Sequence, residues 1–336
     1  MTPPPPILRV RGLETSFATG GGVVQAVDGV SFDIGPGEAF GLVGESGCGK
    51  SATCRSIIGL LPGHATVGGA VEYAGQNLLA ATPEAMRRVR GAEIAMVFQD
   101  PMTALNPVAR IGDQVAEAVR AHQRVGRRAA RARALELLRL VGIPAPERRL
   151  DDYPHRFSGG MRQRVVIAIA LAGEPRILLA DEPTTALDVT IQDQILTLIV
   201  RLQAELGMSV VLVSHDLGVV ARVCQRVAVM YAGQIVEQGP VETVLGAPRH
   251  PYTIGLLASL PGIAGRDRYL RPIPGAPPSL LDPPSGCRFH PRCPFATERC
   301  ASWVVERLPV GPDHDAACWR QEAIAEESRL AAVGTT

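Results

Sequence analysis

Eight residues constrain this chain more than any others. Gly44-Glu45-Ser46-Gly47-Cys48-Gly49-Lys50-Ser51 follows the apolar run Ala39–Val43 and precedes a stretch, Ala52–Leu60, that reads as a helix. A buried strand that turns through glycines into a helix is an anion site, because successive backbone N–H groups converge and the helix end adds partial positive charge. Gly44, Gly47 and Gly49 let the backbone of Ser46 and Cys48 close on phosphate oxygens. Lys50 offers a point charge to β- and γ-phosphates, and Ser51 offers a hydroxyl to Mg²⁺. Strand, loop, helix and the Lys-Ser pair together point to a phosphate-binding α/β fold.

The surrounding pattern agrees. Leu8–Leu13 and Val23–Ile34 alternate with period two around Gly20-Gly21-Gly22, which predicts an antiparallel β start. Apolar runs at Ala39–Val43, Ile94–Phe98, Ile177–Ala180, Val210–Val213 and Val227–Tyr231 read as buried parallel strands. Between them Asp113–His122, Arg127–Val141 and Met161–Ala172 have helical spacing, so residues from about 100 to 172 are expected to form a helical subdomain. The expected boundaries are a nucleotide-binding domain over 1–247 and an extension over 248–336. In that extension prolines recur every few residues and helical periodicity is confined to Thr253–Leu260. Proline removes backbone donors, so the extension must gain its order by docking or by a cross-link.

Ile177-Leu178-Leu179-Ala180 runs into Asp181-Glu182, two acids at the end of a buried strand. Alternation aims the two carboxylates differently, so they can do different work. Asp181 suits holding Mg²⁺; Glu182 suits polarising a water that attacks the γ-phosphate.

At this point the chain resembles the nucleotide-binding subunit of an ATP-binding-cassette (ABC) transporter, an α/β P-loop NTPase with an antiparallel β subdomain and a helical subdomain. Phe157-Ser158-Gly159-Gly160-Met161 resembles that family's signature loop, with Met161 where most members have Gln. The resemblance implies that Ser158, Gly159 and Gly160 form a second anion site, closing over the phosphate loop of a neighbouring subunit so that ATP is held between two subunits. It further implies that Gln99 senses Mg²⁺ and the γ-phosphate, that Asp188 contacts the opposite subunit, and that His215 is the switch histidine. Phe17 resembles the aromatic that stacks on adenine. The catalytic set implied is Glu182, His215 and Gln99, and the Mg²⁺ set Ser51, Gln99 and Asp181.

His250-Pro251-Tyr252-Thr253, Leu256–Pro261 and Pro272-Ile273-Pro274-Gly275 resemble the C-terminal region of oligopeptide/dipeptide importer ATPases. Within it Cys287, Cys293, Cys300 and Cys318 cluster, and a chain of this size is a poor candidate for a disulfide scaffold. Four thiolates in a segment without its own core suggest that a metal supplies folding energy. The tight C-x2-C knuckle of structural zinc is absent, while Cys293-Pro294 echoes the Cys-Pro step of some iron–sulfur sites. The resemblance implies a [4Fe–4S] cluster; Zn²⁺ is the alternative, with His290 or His314 replacing a thiolate.

Composition excludes other classes. Lys+Arg 34 against Asp+Glu 33 gives no basic field for nucleic acid, and 4% aromatic residues give no stacking platform. No apolar run reaches the roughly 18 residues of a spanning helix. The start at Met1–Pro6 lacks the charged and apolar regions of a signal peptide. The resemblance thus implies an ATPase of a bacterial di- or oligopeptide importer, peripheral on the cytoplasmic face of the inner membrane. Its implied partners are a paralogous ATPase, two membrane permeases and an extracytoplasmic binding protein. Relatives carrying nickel, glutathione or oligosaccharides are the nearest alternatives. A soluble ABC ATPase acting on ribosomes or DNA is the more distant one: such proteins carry two cassettes, or split the motifs with a long coiled coil.

Overall fold

The computed structural model describes residues 4–100, 104–185, 187–259, 272–303 and 306–324. The chain forms two compact units, each assembled from distant segments. The first holds Gly35–Ala39 and Ala80–Val213; the second holds Ile7–Ile34, Phe40–Leu79 and the chain from Ser214 onward.

In the first unit three parallel strands lie side by side: Ile94–Val97, Ile177–Asp181 and Ser209–Ser214. Every residue of Ile177–Asp181 is buried, as expected of a parallel strand covered on both faces. The helical part contains Ile111–His122 and Arg127–Leu140, within two residues of the sequence expectation. Ile111, Val115 and Val119 of one helix and Ala130, Ala134, Leu137 and Leu138 of the other are buried, so each helix turns one apolar stripe inward. Arg131 bridges Asp113 and Asp151 on the outside, at 3.2 and 2.8 Å. Exposed pairs of this kind contribute at most about 1 kcal/mol.

In the second unit Leu8–Thr19 pairs antiparallel with Gly22–Ile34 on one side and Ala65–Tyr73 on the other. Leu8, Val10 and Leu13 point into the core. The strand Ala39–Val43 pairs in parallel with Arg226–Tyr231, in register Phe40↔Arg226 to Val43↔Val229. Arg226–Tyr231 then turns back through Ala232 (φ 45°) and Gly233 (φ 88°) into Gln234–Pro240. Two consecutive left-handed residues match the twist of a two-residue hairpin. The Pro-rich extension docks here by backbone pairing: His314–Ala316 adds to Gln234–Pro240, and Leu308–Gly311 adds to His314–Ala316. Its helix runs over Pro251–Ala258, starting two residues earlier than its periodicity suggests, because Pro251 sits in the first turn where a missing N–H costs nothing.

Candidate functional site

The phosphate loop belongs to the second unit, and its glycines are required by close approach. A Cβ on Gly44 would lie 2.0 Å from the Met230 carbonyl oxygen. One on Gly49, held at φ 108°, would lie 2.1 Å from the Ala26 carbonyl oxygen; Gly47 is also left-handed, at φ 79°. Only glycine tolerates such positions. The helix Lys50–Ile57 starts directly from Gly49. Lys50 is 4% exposed, and its Nζ donates to the carbonyls of Gly44 (2.7 Å) and Glu45 (2.9 Å). The ammonium is thus carried by the loop it serves. Ser51 opens the helix beside it and is half-buried. The Gly233 N–H donates to the Cys48 carbonyl at 2.9 Å, so the hairpin tip supports the same loop. Burial raises the pKa of the Cys48 thiol, partly offset by Lys50.

The carboxylate pair belongs to the first unit. Asp181 is fully buried at the strand end. Glu182 adopts φ 46°, a left-handed conformation unfavourable for a non-glycine residue. Its N–H is fixed on the Val213 carbonyl (3.1 Å). Its Oε2 accepts from Thr185 Oγ1 at 2.9 Å and from Gln99 Nε2 at 3.2 Å. Gln99 and Glu182, 83 positions apart in the chain, therefore meet directly. Thr185 is a site residue that sequence reasoning misses; its hydroxyl three positions after Glu182 is the one available signal.

The signature residues lie nearby in the same unit. Ser158 caps the helix Gly159–Ala170, its hydroxyl accepting from Met161 N at 3.3 Å. A Cβ on Gly160 would lie 2.4 Å from Ile191 Cγ2, and one on Gly159 3.3 Å from Leu187 Cδ2. These glycines let the signature helix press on the helix Val189–Leu206, which Asp188 caps by accepting from Ile191 N at 3.0 Å. Ser158, Gly159 and Asp188 are exposed. His215, in the second unit, is exposed just after the strand Ser209–Ser214. Phe17 is half-buried in the strand Leu8–Thr19, its ring 6.0 Å from that of His64.

The extension brings to the phosphate loop residues that no sequence motif connects with it. The Tyr252 hydroxyl accepts from the Glu45 N–H at 2.8 Å. Arg292 donates to both Glu45 carboxylate oxygens, at 2.7 and 3.1 Å. Tyr231, Tyr252 and Phe289 pack ring to ring at 4.5–5.4 Å beneath these contacts. Behind them Glu237, fully buried, accepts from Arg249 N (2.7 Å), His250 N (3.0 Å) and His314 Nε2 (2.8 Å). His314, an expected alternative zinc ligand, is thereby engaged with a carboxylate. Burial pulls the His250 pKa down to about 3; its Nδ1 accepts from Tyr252 N at 3.1 Å.

Cys287, Cys293, Cys300 and Cys318 line one cavity together with Phe289, His290 and Trp319. Burial, with repulsion from the neighbouring thiols, pushes Cys293 up to about 12 and Cys318 to about 11. Burial also raises Cys300, but hydrogen bonds from Thr297 reverse it and bring the net shift below the usual value. Among the described residues no three His, Cys, Asp or Glu side chains stand so as to hold a metal ion. The four-cysteine site expected from sequence is gathered around one space but not assembled as a ligand set. The donors suit a soft metal or cluster in kind, and closing on one would require the four sulfurs to draw together.

Comparison with known proteins is consistent with this geometry. Residues 27–185 match the model of the family described as ABC transporter, and residues 236–300 match the oligopeptide/dipeptide transporter C-terminal region. A probable peptide ABC transporter ATP-binding protein of Sinorhizobium fredii is 54% identical over 95% of this chain and 96% of its own length. The dipeptide transport ATP-binding protein DppD of Bacillus subtilis is 51% identical over 96% and 97%. Among solved structures, the dimeric ATP-binding cassette MJ0796 bound to ADP and Pi is 30% identical, covering 70% of this chain and 98% of that one, with a TM-score of 0.62.

Proposed function

The chain belongs to the ATP-binding subunits of ABC transporters, in the group that carries the oligopeptide/dipeptide C-terminal region, and from that membership we infer that it is the ATP-hydrolysing subunit of a bacterial di- and oligopeptide importer. The observation that carries the catalytic part is the fixing of Glu182 by Thr185 and Gln99 beside the buried Asp181.

The residues divide the work as follows. The loop amides from Gly44 to Gly49 and the Lys50 ammonium bind the triphosphate. Ser51, Asp181 and Gln99 supply hard oxygen donors that fit Mg²⁺, which neutralises phosphate charge when bound. Glu182 orients the attacking water and takes its proton, while His215 contacts the γ-phosphate. Phe17 offers a ring face to the adenine. Ser158, Gly159 and Gly160 cover the phosphate loop of a second ATPase subunit, and Asp188 touches that subunit. Exposure of Ser158, Gly159 and Asp188 supports this role.

The remaining partners in this reading are two membrane permeases and an extracytoplasmic binding protein, with the chain peripheral on the cytoplasmic face of the inner membrane. No helix among the described residues is long and apolar enough to cross a membrane. We also propose that the 1–247 and 248–336 regions are the functional divisions, and that Cys287, Cys293, Cys300 and Cys318 hold a [4Fe–4S] cluster with a structural or redox-sensing role. The raised thiol pKa values mean that metal loading would have to displace protons from these sulfurs.

Glu182→Gln tests the catalytic reading. The variant should bind MgATP as wild type does, while ATPase turnover in the assembled transporter falls by about 10²-fold or more. Wild-type turnover would remove Glu182 from the mechanism.

A further inference from the structure

We propose that Arg292 and Tyr252, from the extension beyond the nucleotide-binding core, are positioning residues for the phosphate loop, and that they set its affinity for nucleoside triphosphate by holding Glu45. This rests on the reading that the loop binds ATP. Glu45 is the second residue of the loop, and its polar groups are held together. Its N–H donates to Tyr252 Oη (2.8 Å), its carbonyl accepts from Lys50 Nζ (2.9 Å), and its carboxylate receives the Arg292 fork (2.7 and 3.1 Å). The Glu45 N–H shares its peptide with the Gly44 carbonyl, and the Glu45 carbonyl opens the next; both carbonyls seat the Lys50 ammonium, so turning either peptide displaces the charge meant for the phosphates.

Arg292 is built for the task. Its side chain is 6% exposed, its Nε donates to the Pro274 carbonyl at 2.9 Å, and its guanidinium lies over Tyr231, 5.7 Å from the ring centroid. A planar fork fixed at its other edge and held against an aromatic ring, with Nη1 also donating to the Tyr231 hydroxyl at 3.3 Å, is tightly oriented in a way a lysine cannot reproduce. The charge matters as much as the direction. A carboxylate in a loop that receives a polyanion opposes binding unless a cation neutralises it, and Arg292 neutralises Glu45 at hydrogen-bonding distance. Tyr252 contributes without charge; burial raises its pKa, so it stays protonated and accepts from Glu45 N.

Affinity of the purified full-length chain for MgATP, measured by calorimetry beside thermal unfolding, tests the inference. Arg292→Met should weaken MgATP binding roughly tenfold or more, because Glu45 is left uncompensated. Glu45→Gln combined with Arg292→Met should recover part of that loss, since the repelling charge is gone. Tyr252→Phe keeps the ring packing and removes one acceptor, so it should weaken binding roughly three- to tenfold. Should Arg292→Met fail to fold, Arg292→Lys keeps the charge, loses the fork, and is expected to bind several-fold more weakly. Wild-type affinity in both Tyr252→Phe and Arg292→Lys, whatever their melting temperatures, overturns the inference. Absence of MgATP binding by the wild-type chain would instead overturn the ATP reading beneath it.

Discussion

The phosphate loop and the carboxylate strand are held in place by opposite means. Glu182 has side-chain partners in its own unit: Thr185 is three positions away, and Gln99 lies two residues past the neighbouring strand. The Glu45 N–H and carboxylate take their partners from 207 and 247 positions downstream, in a segment without a large core of its own. The hydrolytic group is therefore a local construction on a rigid parallel strand. The nucleotide-binding loop is a backbone construction that glycines make possible and remote side chains brace. The first arrangement is the more local in sequence; the second makes the loop depend on the extension.

Gly49→Ala attacks the backbone construction where it is tightest. The new methyl would meet the Ala26 carbonyl at 2.1 Å, at a φ of 108° that alanine resists. MgATP binding should be lost altogether, with unfolding free energy lower by about 3 kcal/mol in urea titration. Normal binding would mean that the loop relaxes easily and that the contrast with the strand is unreal.

Glu237→Gln attacks the foundation of the remote brace. Glu237 Oε1 accepts from Arg249 N and His314 Nε2, while Oε2 accepts from His250 N, two residues before Tyr252. A glutamine amide turns one of those acceptors into a donor facing another N–H. The expected cost is about 2–3 kcal/mol of stability, accompanied by weaker MgATP binding. A loss of stability with unchanged affinity would show that the brace carries structure only.

The two constructions also differed in how far the sequence revealed them. The loop and the strand ending in Asp181-Glu182 follow from local rules of glycine and apolar burial, and each lies where those rules put it. Ala65–Tyr73 escaped as a strand because Gly68-Gly69 interrupts its alternation. Yet Gly69, at φ 89°, is there because the Gly12 carbonyl approaches within 2.3 Å of where a Cβ would be. Gln234–Pro240 escaped because a strand carrying Glu237 and Gln238 does not look buried, and its carboxylate is satisfied only by residues that arrive later in the chain. Arg292 escaped for the same reason. A charge in a Pro-rich run reads as solvated until the fold supplies Glu45. Local propensity reports where a backbone turns, not which distant groups compensate a buried charge.

His250 offers a subtler probe of the braced region. Its folded pKa of about 3 lies below the ordinary 6.5, so the unfolded chain binds a proton that the folded chain refuses. Stability from this residue is therefore complete above pH 6.5 and declines as pH falls from there toward 3. Between pH 7.5 and 5.5 the loss from this one group should be about 1.4 kcal/mol. His250→Asn keeps a side-chain acceptor for Tyr252 N and should flatten the pH dependence of unfolding in that window. An unchanged slope would assign the titration to other groups.

Thr185→Val should have the smallest effect and separate the two constructions most cleanly. The substitution nearly conserves shape and removes the 2.9 Å hydrogen bond to Glu182 Oε2, while Gln99 still holds the same oxygen at 3.2 Å. One restraint on the carboxylate is lost, and Glu182 remains anchored through its N–H to Val213. Turnover should fall about three- to tenfold, the worth of one such bond, with MgATP affinity unchanged because no loop contact is touched. That split, kcat moving while affinity stays, is the mirror image of what Tyr252→Phe should give. If Thr185→Val weakened binding as strongly as turnover, the carboxylate strand and the phosphate loop would share one network, and the independence argued from their separate partners would fail.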